Sequence, residues 1–160
     1  MTSEPRLTHV DEQGAARMVD VSAKDVTVRS ATAAGLVRVS TAVIAALRDR
    51  SVPKGDALAV ARLAGIQAAK RTPDLIPLCH PIALHAVDVA LSVQDDSVMI
   101  TATVRTADRT GVEMEALTAV AVAGLALIDM VKAIDKAATV ENVRLVAKSG
   151  GRSGDWTRPG

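Results

Sequence analysis

This 160-residue chain carries almost no aromatic side chains, with one Trp and neither Phe nor Tyr. Its core must therefore be filled by Ala, Val, Leu, Ile and Met, and no rings are available to stack on a purine or a nucleic-acid base. A single cysteine, Cys79, excludes an internal disulfide, and a zinc cage of several thiolates would need other chains. The net charge is only +1, so no global field draws in DNA or an anionic membrane, and any anion site must come from local clusters of Lys and Arg. Residues 116–128 are nearly all apolar but fall well short of the ~20 needed to span a bilayer. The start, MTSEPRLTHVDEQGAAR, is polar and lacks an apolar signal core. A cytoplasmic protein with no nucleic-acid or membrane partner is the expectation. Hydrophobic residues at 49% against 23% charged exclude general disorder and fit one ordinary domain.

Residues 1–17 read as a mobile segment, 18–148 as one domain and 149–160 as a Gly-rich flexible tail. Val19–Val39 alternates in pieces broken by Gly35, which predicts a first strand with a bend. Ser40 caps a short helix through Arg48, and Asp56 caps a second over 57–70. Pro73 disfavours helix at Thr72. Val87, Val89, Leu91 and Val93 then alternate with polar or small residues, as do Val98, Ile100, Ala102 and Val104. Pairing 93 with 98, 91 with 100, 89 with 102 and 87 with 104 keeps one apolar face, which fixes a hairpin register. A long helix is predicted from Glu113 to Lys136 and a last strand over 140–148. The resulting β-α-β-β-α-β order is an α+β, ferredoxin-like plait: an antiparallel sheet with helices on one face. The long helix is apolar nearly all round, so burial on more than one side, in a homo-oligomer, is the natural solution.

Chemistry concentrates at 71–81, Arg-Thr-Pro-Asp-Leu-Ile-Pro-Leu-Cys-His-Pro, which holds Cys79, His80 and three of the six prolines. Proline stiffens the backbone, so this loop reads as a preformed site. It reads equally as a proline-bounded turn that buries Leu75, Ile76, Leu78 and Cys79. Asp129, Lys132 and Lys136 fall at i, i+3 and i+7, either an exposed ion-pair face or one wall of a cleft. Glu113 and Glu115 open the long helix, where carboxylates suit the dipole and could also accept from the amide and amine edge of a ring. Lys148-Ser149-Gly150-Gly151-Arg152 has the makings of a phosphate clamp, or of a frayed terminus. The run Gly65–Thr72 lacks the glycine a P-loop needs before its lysine, and it sits inside a helical pattern. A Cys79/His80/His85 metal site matches no established spacing, so no metal is assigned, and His9 receives no catalytic role.

Six blocks, in order, carry a resemblance. They are Met18-Val19-Asp20-Val21-Ser22, Lys54-Gly55-Asp56, Ala64–Thr72, Asp74–Pro81, Thr110–Thr118 and Ala147–Gly151. Together the chain resembles the MoaC family of molybdenum-cofactor biosynthesis over roughly residues 7–155. Arg109 stands where relatives often carry Lys, and Ile82 where Leu is common. The resemblance implies a ferredoxin-like fold in a homohexamer built as a trimer of dimers, with sites at subunit interfaces. It implies a lyase that converts a cyclised dihydroguanosine triphosphate, supplied by an upstream radical enzyme, to cyclic pyranopterin monophosphate with release of diphosphate. No cofactor is implied. Asp129 would be catalytic with Lys132 and Lys54, while Leu78, Cys79, His80, Glu113, Met114, Glu115, Lys70 and Lys148 would bind substrate. Two rival expectations are a non-catalytic ligand sensor and a structural metal protein using Cys79 and His80.

Overall fold

A computed structural model describes residues 8–160. In chain order the elements are β1 (Thr27–Arg38), α1 (Thr41–Arg48), α2 (Ala57–Lys70), α3 (Thr72–Leu75), β2 (Ala86–Val93), β3 (Ser97–Asp108), α4 (Glu113–Val131), β4 (Thr139–Ser149) and β5 (Trp156–Thr157). The strands form one antiparallel sheet in the order β2-β3-β1-β4-β5. Its first four strands have the ferredoxin-like arrangement.

The hairpin alternation translates into register pair by pair: Val93 faces Val98, Leu91 Ile100, Val89 Ala102 and Val87 Val104. The same phase carries into β1, where Ala33 lies opposite Ala102 and Val37 opposite Val98. α4 lies across this apolar face, packing on β1, β3, β4 and α2. Ile100, Leu127, Val37, Val43 and Val120 are fully buried, so aliphatic side chains alone make the core. Each such side chain contributes about 1.5–3 kcal/mol. At Gly65 of α2 an added Cβ would lie 3.0 Å from the Ala119 carbonyl oxygen of α4, so the two helices meet backbone to backbone. α4 is long and apolar enough to cross a membrane, yet it is half buried in the fold and serves as its core helix.

Several boundaries differ from expectation. β1 begins at Thr27; residues 19–26 are not strand and instead contribute to a cavity described below. The irregularity opposite Gly35 falls in β4, where Asn142 takes φ 54°, while β1 and β3 pair without a break. α4 stops at Val131, because Ile134 and Asp135 both donate to the Val131 carbonyl and wrap the chain into a turn. Lys136 therefore leaves the helical face of Asp129 and Lys132. Thr72 opens a one-turn helix after all. Pro73 sits in the first turn, where its missing N–H costs no bond, and Thr72 Oγ1 donates back to the Ala69 and Ala68 carbonyls at 3.0 and 3.2 Å.

Among the described residues, those flanking the sheet and helices at either side also hold defined turns and pairings. Of the segment expected to be mobile, residues 1–7 lie outside the described part. Residues 8–17 close on themselves through a Val10–Ala16 bridge and an Asp11 carboxylate that accepts from Gln13 and Ala15. The Gly-rich tail turns back so that Trp156 and Thr157 pair with Lys148 and Ala147.

Candidate active site

All but one of the sequence-predicted residues fall into two clusters, one at each end of α4. At its N-terminal end, Thr110–Val112 leads from β3 into the first helical turn. Gly111 has no side chain, and a Cβ there would collide with the Glu113 carboxylate, which folds back over this turn. Glu113 accepts from Lys148 Nζ at 3.2 Å, and the same ammonium donates to Ser153 Oγ at 2.8 Å. That pair ties the end of β4 to the head of α4. Glu115 is only 3% exposed. Burial, reinforced by the neighbouring Glu113 charge, raises its carboxyl to about 7.

Opposite these carboxylates stands the proline-stiffened loop. Leu78, Cys79 and His80 line one cavity of ≈ 290 Å³ with Glu113, Met114 and Glu115. Burial, then the charges of Glu115 and Glu113, push the Cys79 thiol upward, so it is a protonated wall rather than a thiolate nucleophile. His80 Nε2 is 2.5 Å from the Val19 carbonyl, an acceptor that fixes this nitrogen as the N–H donor. His85 points elsewhere, with its Nδ1 accepting from the Ala107 amide of β3 at 3.3 Å. Among the described residues no three His, Cys, Asp or Glu side chains gather as a metal site.

The second cluster is a carboxylate between two ammoniums. Asp129 Oδ1 lies 2.7 Å from Lys132 Nζ and Oδ2 lies 3.1 Å from Lys54 Nζ. Lys54 is delivered by a tight turn, in which Gly55 donates to the Val52 carbonyl and Val52 is buried. Asp56 then starts α2 by accepting from Ala59. Hydrogen bonds from Lys132 and then Lys54 hold the Asp129 carboxyl below its ordinary value, so it is ionised at neutral pH. All three side chains are about half exposed.

These clusters do not meet within one chain. Sixteen helical steps separate Glu113 from Asp129, about 24 Å along the axis. Lys54 joins Asp129, whereas Lys148 and His80 belong to the other end. Lys70 is exposed at the last turn of α2 and lines neither cluster. The structure adds cavity residues that the sequence reading left without a role. Thr8, His9, Val19, Val21 and Lys24 form a wall of the Glu115 cavity. The block at Met18–Ser22 was the one available signal for that wall, and His9, read as idle, borders the cavity.

The MoaC family profile matches residues 18–151. A protein of Streptomyces griseus is 67% identical over 99% of this chain and 89% of its own length. One from a Nocardioides species is 66% identical over 99% of this chain and all of its own. Both are named cyclic pyranopterin monophosphate synthase. A Mycobacterium tuberculosis protein named cyclic pyranopterin monophosphate synthase 2 is 59% identical over 95% of this chain and 91% of its own. With an aliphatic ferredoxin-like core and matching motif blocks at both ends of α4, the chain belongs to the MoaC family.

Proposed function

We propose that this protein is the lyase that converts a cyclised dihydroguanosine triphosphate to cyclic pyranopterin monophosphate, releasing diphosphate, in molybdenum-cofactor biosynthesis. It works in the cytoplasm downstream of the radical enzyme that supplies the cyclised nucleotide. The observation that carries the chemistry is Asp129 held between Lys132 and Lys54. Rearranging the purine-derived rings is a sequence of proton transfers, for which an ionised carboxylate is the acceptor. Lys132 and Lys54 donate to oxygens on which negative charge grows as diphosphate leaves. At the other cluster Glu113 and Glu115 read the N–H donors of the ring, Met114, Leu78 and Cys79 shape its pocket, and His80 and Lys148 complete the binding surface. Aromatic stacking is not needed, because hydrogen bonds and shape hold the ring.

The 24 Å between the clusters sets a condition. One protomer must present its Asp129 end to the Glu113 end of another, and a two-fold dimer does so twice. Such dimers assemble into a homohexamer as a trimer of dimers. Exposed apolar groups on the helical side, Leu125 at 59% and Leu63 at 66%, support burial between protomers. The test is to supply purified protein with the cyclised nucleotide and follow pyranopterin and diphosphate together. Equal yields of both are expected; binding without either product refutes the reaction.

A further inference from the structure

β3 departs from its apolar phase at one buried position. Val98, Ile100, Ala102 and Val104 line the buried face of the sheet, and the next residue in that phase is Thr106, only 1% exposed. A hydroxyl in such a place costs stability unless it is bonded. Thr106 Oγ1 donates to the Ala83 carbonyl at 2.6 Å, on a residue 23 positions earlier that lies outside every strand and helix. β2 and β3 pair as far as Ala86 and Arg105. Beyond that rung the His85 amide donates to the Arg105 carbonyl at 2.9 Å, and the Ala107 amide donates to His85 Nδ1 at 3.3 Å. Arg105, Thr106 and Ala107 thus grip the end of the loop that carries Cys79 and His80.

The other end of this loop is fixed as well. Thr72 is fully buried, its carbonyl accepts from the Ile76 amide at 2.9 Å, and the Ile76 carbonyl accepts from the Cys79 amide at 3.1 Å. Between the two grips stand His80, Pro81 and Ile82. Proline fixes φ at 81 and Ile82 packs against the core, so a shift of Ala83 is passed to His80 and not absorbed. His80 in turn holds the Val19 carbonyl, and Val19 lines the same cavity. We propose that Thr106 is a positioning residue for substrate binding: by holding the Ala83 carbonyl, its hydroxyl sets the His80 ring, and through it Val19, where the substrate ring meets them. This rests on the proposed function for its choice of substrate. Thr106 itself is buried and does not line the cavity, so it acts through the loop.

Valine has the shape of threonine, suits a strand interior and lacks the donor, whereas serine keeps the donor and lacks the methyl. The test compares full-length wild type, Thr106→Val and Thr106→Ser in turnover of the cyclised nucleotide, in denaturation, and in the nitrogen NMR spectrum of histidine-labelled protein. The His80 signal is identified by its loss in His80→Ala. Thr106→Val should raise KM about five-fold, what one hydrogen bond is worth, with kcat within about two-fold. Its His80 signal should move from the single Nε2–H form of wild type toward a mixture of the two tautomers. Thr106→Ser should keep the wild-type His80 signal and a KM within about two-fold, although the lost methyl lowers its denaturation midpoint. A wild-type KM or an unmoved His80 signal in Thr106→Val overturns the positioning role. An equal rise of KM in both variants also overturns it, marking a merely structural residue. A wild type that forms no pyranopterin refutes the reaction and leaves the His80 signal to decide whether Thr106 sets the ring: movement in the valine variant alone upholds that, and constancy overturns it.

Discussion

Replacing Glu115 with Gln should change how stability depends on pH more than it changes stability at any one pH. Glu115 is only 3% exposed, and burial pushes its carboxyl up to about 7 from an ordinary 4.5. A folded state that holds a proton more tightly than the unfolded chain is favoured at low pH. Below the ordinary carboxylate value both states carry the proton and the group is neutral to folding. As pH rises through 4.5 the unfolded chain releases it first, and stability falls until the folded state also releases it near 7. At about 1.4 kcal/mol per unit, the full loss is on the order of 3 kcal/mol. Gln cannot titrate, so that slope should vanish in the variant. Relative to wild type, Glu115→Gln should gain up to about 3 kcal/mol between pH 4.5 and 7.5, or roughly 6–12 °C in Tm. The assay is denaturation of both proteins across that range at one protomer concentration, because oligomerisation makes Tm concentration-dependent. Taking the difference cancels the other titrating groups. Parallel curves for the two proteins would show that Glu115 is not a buried, protonated carboxyl, and the physical account of the cavity would fail.

Thr72→Val keeps the shape of the α2–α3 junction but removes its bond to the Ala69 carbonyl. It should cost about 1 kcal/mol in denaturation and raise KM by loosening the Leu78–His80 loop, with kcat nearly unchanged. Asp129→Ala breaks only exposed ion pairs, so Tm should move by no more than about 2 °C while turnover is lost. Near-normal turnover in that variant would remove Asp129 from the mechanism.

The fold was legible wherever pattern alone decides placement. Strict alternation over 87–93 and 98–104 leaves one register that keeps a single apolar face, and that register is observed. Ser40 and Asp56 are preferred cap residues at the two sites where helices start. Legibility failed where a local signal outruns its element. Val19 and Val21 look strand-like but wall a cavity, and apolar periodicity runs on to Ile134 although the hydrogen bonds turn at Val131. Pro73 reads as a breaker until its place in a first turn makes it harmless. The candidate clusters were legible by residue type, through the two acids of the helix head and the Asp-Lys pair of its tail. Lys24, which lines the Glu115 cavity, was not legible as a site residue, because it comes from the coil before β1 and only the fold carries that coil against the head of α4.

Mixing two dead variants asks most directly whether the clusters serve one site across a chain boundary. His80→Ala disables the cluster at the head of α4, and Asp129→Ala the one at its tail. Co-assembled at equal amounts from unfolded chains, half the dimers are mixed, and each has one site free of both substitutions. Pyranopterin formation should return to about one quarter of the wild-type rate, although each variant alone is inactive. No recovery from fully mixed oligomers would contradict a site shared between protomers.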